Sequence, residues 1–131
     1  MKSRAEKLGR LVSLVKLQLR LSEWQLAQLR QQESELADQE SYLIGAFNDV
    51  QLPIGSSSES ISRRLTATSV SARATQARAS RQLEQVQVEG RRVKQLERIA
   101  TAATVNKLRD AERRLLEEIA GAFPASRING F

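Results

Sequence analysis

Cysteine and histidine are both absent from the 131 residues. Their absence excludes disulfides, thiol nucleophiles, imidazole bases and nearly every zinc or iron centre. Lack of cysteine also fits a reducing compartment. Aromatic side chains number five: Trp24, Tyr42, Phe47, Phe123 and Phe131. A globular core of this length normally draws on more of them. Only two prolines are present, so little interrupts long helices. No apolar run approaches the roughly 18–20 residues of a membrane span. The basic start, Met1 to Arg10, leads into Leu11–Leu21, which Ser13, Lys16, Gln18 and Arg20 interrupt. No A-x-A-like cleavage site follows, so a signal peptide is not expected. There is no phosphate-binding glycine loop, metal spacing or catalytic triad. Glu117 and Glu118 are neighbours on a helix and diverge, whereas paired acid–base work needs convergent carboxylates. These absences predict a non-enzyme without cofactor or metal.

What remains is Leu, Val, Ile and Ala among Gln, Glu, Arg and Ser, the composition of long helices and coiled coils. Ser3-Arg4-Ala5-Glu6 reads as a capping box that starts a first helix. An apolar stripe then runs Val12, Val15, Leu19, Ser22, Leu26, Leu29, Glu33, Leu36, Glu40, Leu43, Phe47, in steps of three and four. Eight of these eleven positions are apolar, which selects helix over strand. A second line, Leu14, Leu17, Leu21 and Trp24, widens the apolar arc of the proximal half. Either the second helix covers both lines, or the extra one is a docking face for another protein.

The helical pattern breaks at residues 49–57, where Pro53 and Gly55 predict a reversal and Ser56 to Glu59 offer a second capping box. A second helix is expected over about 58–120. Its opening third, with Ile61, Leu65, Val70, Ala72, Ala74, Ala77 and Ala79, is poor in large side chains and buries little area. Apolar density recovers at Leu83, Val86, Val93, Leu96 and Ile99 and continues through Val105, Leu108, Ala111, Leu115 and Ile119. Gly90 is a weak point, Gly121 a candidate C-cap, and Pro124 a stop before a frayed tail over 121–131.

Net charge is +6, unevenly spread. Residues 31–60 carry six acids and no base, whereas residues 61–82 carry five arginines and no acid. A reversal near residue 54 makes facing residue numbers add to about 108. Glu33, Glu35, Asp38 and Glu40 then oppose the zone of Arg63, Arg64, Arg73, Arg78 and Arg81. Each exposed pair is worth only about 0–1 kcal/mol, yet together they favour one antiparallel register. The expected fold is all-α: one elongated antiparallel two-helix coiled-coil hairpin with the second helix longer. Residues beyond about 107 have no partner on the first helix. Leu108, Leu115, Leu116 and Ile119 are therefore left uncovered, which predicts a partner or self-association there.

Two binding classes compete with protein contact. Sixteen arginines and a pI near 10.5 suit phosphate binding. Acids interleave with them, no recognition motif appears, and stacking aromatics are nearly missing, so nucleic acid is the lesser reading. A basic amphipathic N-terminus touching a membrane surface is weaker still.

Met1-Lys2-Ser3-Arg4, Leu8, Arg10-Leu11-Val12 and the Gln/Glu/Leu-rich heptads that follow resemble the FliJ family, the flagellar type III export stalk, which is related to injectisome stalk proteins. The resemblance implies a cytoplasmic protein, peripheral at the inner face of the membrane, that binds a hexameric export ATPase, contacts the membrane-embedded export gate and escorts export chaperones. By position it implies ATPase contacts from Lys2, Arg4, Lys7, Arg10, Arg109, Arg113 and Arg114. It implies gate contacts from Tyr42, Phe47, Ile61 and Leu65. The equivalent injectisome stalk is the alternative, and a basic nucleic-acid-binding hairpin the further one.

Overall fold

The computed structural model describes residues 3–48 and 58–122. Two helices account for them: α1 (Arg4–Asn48) and α2 (Ser58–Ala122), 45 and 65 residues long. They pack against each other as a hairpin whose second helix is the longer. The expected turn, the Ser56 half of the second capping box, Pro124 and the tail from Phe123 lie outside the described residues. So does Lys2.

Local signals set the start of α1. The Glu6 backbone N–H donates to Ser3 Oγ at 3.2 Å, and the Lys7 N–H donates to the Ser3 carbonyl. Ser3 is thus an N-cap that satisfies donors the first turn leaves open. The Glu6 carboxylate does not complete the expected box. It lies 3.6 Å from Lys107 Nζ, whose ammonium is also 3.4 Å from Ser3 Oγ. At the start of α2, Glu59 accepts from Arg63 at 2.8 Å along the same helix.

The chain forms two compact units. Among the described residues, the first joins residues 3–16 to residues 91–122, and the second comprises residues 17–48 and 58–90.

In the first unit, Ala5, Leu8, Val12 and Val15 turn towards Val93, Leu96, Ala100 and Ala103, all buried or half-buried. The seam is apolar throughout, with Val12 and Val93 its most buried members. Lys16 and Glu97 flank it 3.5 Å apart. Residue numbers in the cross-helix pairs Lys16–Glu97 and Glu6–Lys107 add to 113, close to the expected register.

In the second unit the covered face of α1 is Leu19, Ser22, Leu26, Leu29, Glu33, Leu36, Glu40 and Leu43. These are the residues of the sequence stripe. The stripe fails at its last member: Phe47 is exposed and Ala46 is half-buried in its place. The facing line of α2 is Ile61, Leu65, Thr68, Ala72, Thr75, Ala79, Gln82, Val86 and Glu89, also alternating in fours and threes. Val70, Ala74 and Ala77, among the apolar residues of this stretch, are exposed and lie outside it.

Every seventh residue from Thr68 to Glu89 on this seam is therefore polar. Polar partners are shown for Gln82 and Glu89, and for Ser69 beside Thr68. Ser69 Oγ donates to Glu40 Oε1 at 3.0 Å. Gln82 Nε2 donates to the Ser22 carbonyl at 3.0 Å and lies 3.3 Å from Gln25 Oε1. Gln85 Nε2 donates to Glu89 Oε1 at 2.9 Å, while Glu89 Oε2 is buried with no hydrogen-bond partner among the described residues.

The opposed charge blocks behave differently from expectation. Among the described residues, the salt bridges that cross between helices are Lys16–Glu97 and Lys107–Glu6, both in the first unit. None joins Glu33, Glu35, Asp38 or Glu40 to Arg63, Arg64, Arg73, Arg78 or Arg81. Angular position explains this. Glu33 and Glu40 lie in the seam itself, and Glu35 and Asp38 point away from it. Ion pairs form from seam-flanking positions, which Lys16 and Glu97 occupy and the acidic block does not.

Candidate protein-interaction surfaces

Three exposed surfaces of these helices can meet other molecules. The first is the back of α1. Its seam residues recur at heptad positions a and d, which places Leu14 and Leu21 at c and Leu17 and Trp24 at f. At 100° per residue the two lines lie about 160° apart. A single partner helix covers one of them. Leu14, Leu17, Leu21 and Trp24 are accordingly 56–63% exposed. The idea that the second helix covers both lines is thereby corrected: α2 leaves the back of α1 bare.

The second surface is the end of α2. Lys107 makes the last α2 contacts with α1 that the described residues show, to Glu6 and Ser3. From Thr104 to Ala122 every residue is exposed, including Leu108, Leu115, Leu116 and Ile119 at 47–65%. Extending the α2 seam in sevens reaches Lys107, Asp110, Arg114 and Glu117, all charged. The apolar line has moved to the other side of the helix, more than about 120° from the seam line. The overhang is thus a separate amphipathic face and does not continue the hairpin core.

Basic residues crowd the same end. Arg4 and Arg114 line one groove with Ser3, Ile99, Lys107 and Asp110. Lys7, Arg10 and Arg109 are exposed, as is Arg113, which holds Asp110 at 2.9 Å. The structure therefore brings Arg4, Arg114 and Lys107 to one groove. Lys7 and Arg10 instead lie on the line that continues the back of α1.

The third surface is a groove near the far end of the second unit, lined by Asp38, Gln39, Tyr42, Leu43, Arg64, Ala67 and Thr68. Tyr42 is 70% exposed beside it, and Phe47 is 47% exposed. The other two gate-contact candidates are placed differently. Ile61 is only 4% exposed and Leu65 is half-buried, both on the seam line. They hold the hairpin closed and offer a partner little surface.

Sequence reasoning missed the polar seam of α2. A signal for it exists: stepping back in sevens from Ala100 gives Val93, Val86, Ala79, Ala72 and Leu65, all apolar. That line fixes the helix phase and puts Thr68, Thr75, Gln82 and Glu89 beside it. Among the described residues no helix is long and apolar enough to cross a membrane. No family model, curated protein or solved structure matches the chain.

Proposed function

We propose that the chain is a non-catalytic stalk of a flagellar type III export apparatus, acting by contact with other proteins. In this reading it binds the hexameric export ATPase and the export gate, escorts export chaperones, and works in the cytoplasm against the inner face of the membrane. The observation that carries the reading is the uncovered end of α2, where Leu108, Leu115, Leu116 and Ile119 stand exposed among Arg109, Arg113 and Arg114. Large apolar side chains give a helix binding area, and interleaved arginines supply charge-assisted hydrogen bonds to acidic loops. Such an end suits insertion into a ring lined by acidic residues.

Arg113 already holds Asp110, so Arg109 and Arg114 are the stronger contributors. Reversing Arg109 and Arg114 to Glu is expected to weaken ATPase binding at least about tenfold, since charge-assisted contacts are worth roughly 1.5–3 kcal/mol each. ATPase stimulation should fall in parallel. Pull-down against export ATPase and gate proteins is the test, and absence of binding by the unaltered chain ends the proposal. The injectisome stalk predicts the same behaviour with the injectisome ATPase, so an assay with both ATPases separates the two.

A further inference from the structure

We infer that a second copy of the chain covers the back of α1, the two α1 helices running antiparallel about a twofold axis between Leu17 and Leu21. The inference goes beyond the proposed stalk and rests on different residues. α1 is one uninterrupted helix, so this face is set by its own periodicity. The line comprises Lys7, Arg10, Leu14, Leu17, Leu21, Trp24, Gln28, Gln31, Glu35 and Asp38, in unbroken steps of three and four, and every member is exposed. It is a complete second heptad seam with nothing in it from α2.

Two properties of the line bear on another copy of itself. The first, its spacing, permits one as any heptad seam does. The apolar steps 14–17–21–24 read the same in both directions, so reversal sets Leu17 against Leu21 and Leu14 against Trp24 of the other copy. Each contact then occurs twice, as an isologous interface requires.

The second is charge order. The apolar centre has Lys7 and Arg10 at one end and Glu35 and Asp38 at the other. Reversal places Arg10 against Gln28 and Lys7 against Gln31, one helical turn from Glu35. A parallel copy would set Lys7 on Lys7 and Glu35 on Glu35. Opposed helix dipoles act in the same direction. The exposed end of α2 lacks any such order: Arg109, Asp110, Glu112, Arg113, Arg114, Glu117 and Glu118 alternate in sign, so nothing there favours a copy of this chain.

Stable interfaces bury about 1,200 Å² or more in total. Four large side chains per copy with polar flanks reach the lower end of that range. The dimer is therefore concentration-dependent and dissociates on dilution.

The test uses the full chain. Trp24 is the sole tryptophan, so its emission reports this face without labelling. Raising the concentration should shift that emission to the blue while sedimentation or light scattering moves from monomer to dimer mass. Leu17→Asp with Leu21→Asp should keep the helical circular dichroism and remain monomeric. The chain has no native cysteine, so Leu17→Cys mixed with Leu21→Cys should cross-link, and each variant alone should do so much less. Monomer mass with unchanged Trp24 emission at every concentration overturns the inference and leaves the face to another protein. A dimer that survives the paired aspartates overturns it as well, as does preferential cross-linking of Leu17→Cys to itself.

Discussion

The two units share one heptad rhythm and fill it with different chemistry. In the first, Leu8, Val12 and Val15 meet Val93, Leu96 and small alanines; Lys16–Glu97 stands beside the seam, and Lys107–Glu6 follows its last alanine. In the second, polar groups enter the seam itself: Ser22, Glu33 and Glu40 on α1, and Thr68, Thr75, Gln82 and Glu89 on α2. Apolar area supplies stability. Buried polar groups that must find partners contribute less of it and specify alignment in some coiled coils. The contrast teaches that one period can support a firm contact and a selective one in the same pair of helices.

The strongest way to break the contrast is to put a charge into the apolar seam. Val93→Asp should cost about 3 kcal/mol or more, because the carboxylate loses water and gains no partner. Urea unfolding followed by circular dichroism measures the loss. The converse substitution, Glu89→Leu, removes a carboxylate with one unpartnered oxygen in the second unit. It should raise stability by about 1–3 kcal/mol, and an unchanged midpoint would mean that Glu89 is satisfied in solution.

Glycine offers a control that ignores the seam. A Cβ at Gly9, Gly45 or Gly90 meets nothing within 4 Å. Alanine at each should therefore add about 1 kcal/mol by helix propensity alone, equally in the first unit (Gly9) and the second (Gly45, Gly90). Unequal gains would show that propensity and packing are coupled. The smallest effect belongs to the ion pairs of the first unit. Both are about half exposed. Glu97→Gln should cost under about 1 kcal/mol, with the difference vanishing at high salt.

Much of this was legible before the fold. The α1 stripe from Val12 to Leu43 is spelled mostly in leucine and valine, and each of its residues is buried or half-buried. On α2 side-chain size misleads. Val70 and Ile99 look like core yet are exposed, while Thr75 and Glu89 look like surface and are buried. The phase of α2 is carried by the line Leu65, Ala72, Ala79, Val86, Val93 and Ala100, half of it alanine, which attracts little notice.

The charge blocks anticipated the register but not the contacts. Counting along the chain fixes which turns face each other, whereas an ion pair also needs the right angle around each helix. The candidate surfaces divide in the same way. The overhang of α2 followed from chain length and turn position. That its apolar face turns away from the seam depends on helix phase, which residue counting leaves out.

The polar seam has a further consequence. Glu33-Leu36 and Glu40-Leu43 are the same pair seven residues apart, and Thr68-Ala72 and Thr75-Ala79 are the same pair on the other side. Sliding the helices by one heptad there would exchange like for like, so these turns alone do not distinguish neighbouring alignments. Gln82 does not break the degeneracy, since its acceptor is a backbone carbonyl and Gln18 and Gln32 stand one heptad from its other partner, Gln25. Unlike neighbours occur in the first unit, where a one-heptad slide would set Lys16 against Gly90 or Thr104 in place of Glu97.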